Sequence, residues 1–179
     1  VTEILHVRYK NYGTNFHPEC QSLEILSKNG DSWKVRFRHY KHTILGTSIK
    51  GRLVCEDTTV TISCTSDGTN QTSFTYKLSK EKEPRKRQLI YGNATAGCYV
   101  YVSTGNQHIG VPDRKLRNES IPDCELMMPQ SFVNRHVGKD CETAYKKSCG
   151  SIMSGSYRSQ CTEEEDDPTS CTRVVPEGC

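Results

Sequence analysis

Ten cysteines are the residues of this 179-residue chain most able to do covalent chemistry. None has the close C-x-x-C spacing of a zinc knuckle, so we expect no structural metal. An even number of scattered cysteines instead predicts a framework of up to five disulfides. Because disulfides persist in oxidising compartments, the cysteine count predicts a secreted, extracellular protein.

Three N-x-S/T sequons support the same localisation. They stand at Asn70, Asn93 and Asn118, where we expect glycosylation. No apolar run approaches the roughly 18 residues that a transmembrane helix needs, so we expect no membrane span. The sequence therefore predicts a mature secreted glycoprotein.

The stretch PDCELMMPQ, residues 122–130, places the carboxylate of Glu125 inside a short apolar run. A glutamate in a strand either points to water or faces the interior. In the interior it can bond a neighbouring polar group, or it can offset the charge of a bound amine. Both possibilities stay open at the level of the sequence.

Catalytic signatures are missing from the chain. It has no G-x-S-x-G elbow, no H-E-x-x-H metal motif and no pair of carboxylates at catalytic spacing, so we expect neither an enzyme nor a cofactor. The net charge of +3 is mild, with a basic loop at 80–87 and an acidic run at 163–167. We interpret both as solvated segments, with a basic patch for a glycosaminoglycan or another anionic ligand as the alternative, and we expect no nucleic-acid partner.

The residues just described must be positioned by strands, because most of the chain alternates between apolar and polar residues. The clearest case is Trp33, Val35 and Phe37, which alternate with lysine and arginine. Asn29-Gly30 is the turn signal of a tight hairpin. Eight runs are predicted as strands, at about 3–12, 20–28, 32–41, 48–57, 58–67, 87–92, 97–104 and 124–128.

Eight consecutive strands with short turns predict either an up-and-down barrel or a sandwich. A barrel of this size can enclose one small ligand, whereas a sandwich fills its interior with side chains. His39 shares a face with Phe37, and we expect it at the mouth of a barrel. The apolar strand faces supply the remaining candidate wall residues, namely Tyr9, Trp33, Val35, Phe37, Leu53, Ile62 and Tyr101.

One helix is predicted in the segment KDCETAYKKSC, at about 140–149. Asp140 is the expected N-cap, and Cys141, Tyr145 and Cys149 fall on one helical face that should lie against the strands. We expect one domain over residues 1–161 and an acidic extension over residues 162–179.

The order of these features resembles the tick salivary lipocalins, the family of histamine-binding-like lipocalins. The matching motifs are Cys98-Tyr99-Val100, Glu125-Leu126-Met127 and the downstream Cys141, and the resemblance covers about residues 3–161. It implies an all-β fold, an eight-stranded up-and-down lipocalin barrel with a C-terminal helix on its side. It also implies a monomer that sequesters a small host mediator.

The resemblance implies two disulfides, Cys20–Cys161 and Cys98–Cys141. Cys55 and Cys64 flank a turn expected near residues 59–60, and we expect them to face each other on neighbouring strands and to pair. The remaining cysteines are then predicted to pair as Cys124–Cys149 and Cys171–Cys179.

Two motif positions depart from the amine-binding members of the family. Tyr99 stands where they carry an aspartate, and Met127 stands where they carry an aromatic residue. Both positions, with Glu125, are counted among the candidate ligand contacts. The departures favour a hydrophobic ligand such as a fatty acid, an eicosanoid or a sterol.

Two alternatives to a hydrophobic ligand are kept. One is a scavenger of histamine or serotonin that uses Glu125. The other is a scaffold that binds a host protein, such as a complement or immune-cell target, through the basic loop 80–87 and the tail.

Overall fold

The computed structural model describes residues 3–12, 19–45, 48–64, 71–104 and 121–171, with only the backbone described at 42–45, 48–50 and 104. The first half contains β1 (Ile4–Lys10), β2 (Ser22–Asn29), β3 (Ser32–Leu45), β4 (Ser48–Cys64) and β5 (Thr72–Tyr76). The second half contains β6 (Arg85–Asn93), β7 (Cys98–Thr104), β8 (Cys124–Pro129), α1 (Lys139–Cys149), β9 (Ser154–Gly155) and a 3₁₀ turn (Ser159–Thr162).

Strands β1 to β8 form a closed antiparallel barrel. Each strand pairs with the next, and β1 pairs with both β2 and β8, which closes the cylinder. The two-residue strand β9 also pairs with β1, but it is not one of the eight strands of the barrel. The up-and-down barrel is therefore confirmed, and the sandwich is excluded because the described strands form one closed sheet instead of two packed sheets.

The strand count was predicted correctly, although two strands were assigned wrongly. The runs predicted at 48–57 and 58–67 form one continuous strand as far as Cys64, and residues 65–67 lie outside the described residues. This strand, β4, pairs with β3 from Ser48 to Thr61. The strand that the sequence did not reveal is β5, whose segment TSFTY is short and mostly polar. A five-residue polar segment gives too little alternation to be recognised.

A β-bulge decides which way β1 faces. Val7 lies opposite Met127, but the next aligned pair is Tyr9 with Leu126, so Arg8 is an extra residue. Because side chains alternate along a strand, one extra residue moves Tyr9 to the outer face. Tyr9 packs on the cluster beneath α1, and its prediction as a wall residue of the barrel interior was wrong.

Two apolar layers result, one inside the barrel and one between the barrel wall and α1. The outer layer centres on Tyr145 of α1, which packs with Val100, Leu126 and Met128. The inner layer consists of two smaller clusters, one around Val35, Val60 and Tyr76 and one around Val7, Tyr101 and Met127.

Leu53 was also predicted to face the interior, and that prediction was wrong. It packs in the outer layer, where the tail runs beside β4. The Leu53 N–H donates to the Glu165 carbonyl at 3.0 Å, and the Asp167 N–H donates to the Leu53 carbonyl at 2.8 Å.

Trp33 lies beside the β2–β3 hairpin, on the inner face of β3 that it shares with Val35 and Phe37, as predicted. It packs on the cluster of Val35 and Val60. Its indole N–H donates to the Gly30 carbonyl at 3.1 Å, and the Lys28 ammonium lies 4.4 Å from the ring centre.

The helix presents the predicted face to the barrel. Cys141, Tyr145 and Cys149 are buried, and the Tyr145 hydroxyl donates to the Ile152 carbonyl at 3.1 Å. The N-cap is Gly138 rather than Asp140, and it makes no side-chain capping bond. Within the described ranges, none of the helices is long and apolar enough to cross a membrane.

Four disulfides join described cysteines. Cys20–Cys161, Cys98–Cys141 and Cys124–Cys149 are confirmed, and the last two attach α1 to β7 and β8. The fourth joins Cys55 to Cys171, so the predicted pairs Cys55–Cys64 and Cys171–Cys179 were both wrong.

The reason is that Cys55 and Cys64 lie on the same strand, not on neighbouring ones. The nine residue steps of extended chain from one to the other place their Cα atoms about 30 Å apart, far beyond the roughly 7 Å that a disulfide spans. Cys64 is exposed and forms no disulfide with a described cysteine, and Cys179 lies outside the described residues.

We expect peptide mapping under non-reducing conditions to recover a peptide that links Cys55 to Cys171. Since this bridge closes a loop of 116 residues, the double variant Cys55→Ser/Cys171→Ser should lose about 2–5 kcal/mol of unfolding free energy in urea. A peptide that links Cys55 to Cys64 would contradict the assignment of the tail to β4.

Candidate functional site

A cavity of about 230 Å³ lies inside the barrel. Its apolar walls are formed by Val7, Leu23, Phe37, Leu78 and Met127. Its polar lining comprises Gln21, Ser22, Arg38, His39, Tyr76, Arg85, Arg87 and Glu125. Arg38 ion-pairs with Glu24 and Asp166 instead of with a group of the cavity.

Glu125 faces this cavity and is only 4% exposed. The Arg87 guanidinium donates from Nη1 to one carboxylate oxygen of Glu125, and the Tyr12 hydroxyl donates to the other. The carboxylate of the PDCELMMPQ stretch is therefore an interior charge that already has both a counter-ion and a hydroxyl donor.

Arg87 enters the barrel from β6, where it lies opposite Phe74 of β5. Burial lowers the pKa of Arg87, but Glu125 and the neighbouring tyrosine hydroxyls raise it more. The pKa of Arg87 therefore lies above its ordinary value. Its guanidinium carbon lies 5.4 Å from the centre of the Tyr76 ring. The Nε of Arg87 is buried and has no hydrogen-bond partner in the described part of the chain.

The tyrosines around this ion pair remain protonated. Burial raises the pKa of Tyr12 well above its ordinary value, and the negative charge of Glu125 raises it further. Burial likewise raises the pKa of Tyr76 and of Tyr101. A neutral hydroxyl can donate a hydrogen bond, so Tyr12 is the donor in its contact with the Glu125 carboxylate.

The loop 77–84 covers one end of the cavity. Leu78 packs into the interior, and the Ser79 N–H donates to the Glu56 carboxylate on β4. The Thr58 hydroxyl donates to the Lys77 carbonyl at 2.9 Å. The loop is thereby held against the inner rim of β4.

Two charged or titratable groups lie beside this loop. Arg85 forms an ion pair with Glu81 of the loop. His39 lines the same end of the cavity, and burial lowers its pKa, although Glu56 opposes that effect.

The predicted contacts separate into three groups. Phe37, His39, Glu125 and Met127 line the cavity. Trp33, Val35, Ile62, Tyr99 and Tyr101 belong to or pack on the interior clusters without lining the cavity. Tyr9 and Leu53 lie in the outer layer, as described above.

Arg85 and Arg87 are the functional residues that sequence reasoning missed. Both were counted in the solvated basic loop 80–87, with Arg87 also the first residue of the predicted strand 87–92, but both line the cavity. The signal that could have identified them is their spacing. Both are an even number of residues from the apolar Leu89, so they lie on the same face of the strand as Leu89. An alternating strand whose inner positions are charged lacks the dry face by which strands are recognised.

Asn93 is the one predicted sequon that falls within the described residues. Its side-chain oxygen accepts a hydrogen bond from the Ala96 N–H at 2.9 Å, in the turn between β6 and β7. Asn70 and Asn118 lie outside the described residues.

Neither the models of known protein families nor the curated proteins gave a match to this chain. The class of protein is therefore defined by its fold and its cavity. It is an eight-stranded antiparallel barrel with a helix on its side and a partly polar interior cavity.

We expect Glu125→Gln to lower the unfolding free energy by about 3–5 kcal/mol, because it leaves the Arg87 charge buried without a counter-ion. Urea unfolding measures this loss. The double variant Arg87→Leu/Glu125→Leu should approach or exceed native stability, since it removes both charges.

Glu142→Gln is the matched control, because Glu142 pairs with Lys146 on the surface of α1, where the side chains of Lys146 and Glu142 are 49% and 41% exposed. Loss of that pair should cost at most about 1 kcal/mol. If Glu125→Gln were no more destabilising than Glu142→Gln, the ion pair inside the barrel would not be the constraint described here.

Proposed function

We propose that this protein is a secreted carrier that encloses a small hydrophobic ligand in its barrel. The observation that carries the proposal is the interior cavity, which has apolar walls and paired charges. Such a combination, mostly apolar with a few placed polar groups, is typical of small-molecule sites.

The size of the cavity favours a flexible ligand. At about 230 Å³ it lies below the roughly 300–1,000 Å³ of common ligand pockets. The hydrocarbon chain of a fatty acid or an eicosanoid can be enclosed in part, with the rest in the mouth. The fused rings of a sterol would have to enter as one rigid body, so a sterol is the less favoured ligand.

The charges in the cavity argue against a biogenic amine. An ammonium group would need Glu125 as its counter-ion, but Arg87 and Tyr12 already occupy that carboxylate. Displacement of Arg87 would leave a buried guanidinium unpaired, which is costly. A neutral ligand, or one with an anionic head group that reaches Arg85 or Arg87, meets no such penalty.

The same pairing supports a binding role instead of a catalytic one, because Glu125 and Glu81 are both committed to ion pairs. The alternative of a protein-binding scaffold loses support, since the loop 80–87 turns Arg85 and Arg87 inward. The resemblance to the tick salivary lipocalins suggests that the ligand is a mediator of host inflammation or immunity. The four disulfides favour an extracellular setting.

We expect Leu78→Trp to weaken binding of palmitate by about tenfold or more, because the larger side chain fills the covered end of the cavity. Isothermal titration calorimetry measures the affinity. Ser79→Trp is the matched control, since it places the same side chain on the neighbouring exposed position. A native protein that does not bind palmitate would contradict a ligand site in the barrel. Equal palmitate affinity of the two variants would contradict it as well.

A further inference from the structure

We propose a second binding site, on the outside of the barrel, for a small carboxylate with one negative charge and an apolar body. The site is a groove of about 370 Å³ between β1, the start of α1 and the segment that precedes β9. It is independent of the barrel cavity and of the function proposed above. Its lining residues are Arg8, Tyr9, His136, Val137, Glu142 and Met153.

The bulge in β1 supplies the cation of this groove. Arg8 is the extra residue between the aligned pairs Val7–Met127 and Tyr9–Leu126. Bulges often change the direction of a side chain next to a functional site. Here the bulge brings Arg8 and Tyr9, two consecutive residues, to the same groove.

Arg8 differs from the other arginines that are wholly or partly buried. Arg36, Arg38, Arg85 and Arg87 each form an ion pair with a carboxylate. Arg8 is half-buried, yet no carboxylate of the described residues forms an ion pair with it.

The neighbours of Arg8 are aromatic rings and a carbonyl. Its guanidinium carbon lies 4.8 Å from the centre of the Tyr9 ring and 5.9 Å from that of Tyr157. Nη1 donates to the Tyr157 carbonyl at 3.5 Å. A half-buried guanidinium without a counter-ion is an available partner for an anion, which it can bind with charge-assisted hydrogen bonds.

The other walls of the groove limit what the anion can be. Tyr9, Val137 and Met153 pack on the outer apolar layer, so they offer contact to a hydrocarbon or aromatic body. Glu142 lies on the helix side, where its charge is offset by an ion pair with Lys146. A single negative charge beside Arg8 is acceptable there, whereas a dianion would be repelled by Glu142.

Covalent and polar contacts hold the walls in place before any ligand binds. Two disulfides attach α1 to the barrel. Directly after β1, the Asn11 side chain donates to the Cys149 carbonyl at 3.0 Å and accepts from the Cys124 N–H at 2.8 Å. A groove fixed in this way costs little ordering entropy on binding.

The three methionines of the chain provide separate reporters for a test. Met153 lines the groove, Met127 lines the barrel cavity, and Met128 is fully buried in the layer between them. In protein labelled with ¹³C at the methionine methyl groups, we expect octanoate to shift the Met153 resonance in a saturable manner. Octyl phosphate and octanol should bind there more weakly.

Arg8→Gln should weaken the Met153 response to octanoate by about ten- to a hundredfold, because it removes a charge-assisted contact. Glu142→Gln, on the solvent-facing helix rim, should strengthen it by a few fold. A Met153 resonance that does not move, or that responds equally in the native protein and Arg8→Gln, would overturn the proposal.

The reporters also distinguish failure of this site from failure of the barrel site. A shift of the Met127 resonance alone would support a ligand in the barrel and refute the site in the groove. A shift of the Met153 resonance alone would support the site in the groove and count against the barrel site. The Met128 resonance shows whether Arg8→Gln still folds. If it does not fold, the octanoate affinities of Arg8→Lys and Glu142→Gln test the site instead. Unchanged octanoate affinity in both of those variants would then refute the proposal.

Discussion

The ion pair of Arg87 and Glu125 is the constraint on which the interior of the barrel depends. Both side chains are buried, so the loss of one partner leaves the charge of the other without compensation, which is costly. The pair joins β6 to β8 across β7, and Tyr12 reaches the same carboxylate from the segment after β1. Strands distant in the sequence thereby meet at one polar point, which also determines what kind of ligand the cavity can accept.

A barrel with paired charges and a cavity inside it gains little stability from its interior. The outer layer compensates, since Leu126, Met128 and Tyr145 are fully buried between the wall and α1. Disulfides hold α1 and the tail against the strands. The chain is only 34% hydrophobic, so it can keep a hollow, polar interior because its packed core lies mostly outside the barrel.

The sequence predicts those features that depend on side-chain type. Trp33, Val35 and Phe37 alternate with cations, and the face of Cys141 and Tyr145 repeats with helical spacing, so both elements were predicted correctly. The bulge at Arg8 could not be predicted, since the residues around it alternate as in a regular strand. Arg87 was missed because a charge that points inward has the same pattern as a charge in water, and only its partner Glu125, 38 residues away in sequence, distinguishes the two.

Calorimetry of the native protein with palmitate and with serotonin tests the central claim most directly, namely that the interior carboxylate is already neutralised. The account predicts binding of palmitate and no binding of serotonin, because Arg87 and Tyr12 occupy the only acidic group that lines the described cavity. Tight binding of serotonin that Glu125→Gln abolishes would contradict it, since the carboxylate would then be available to a cationic ligand.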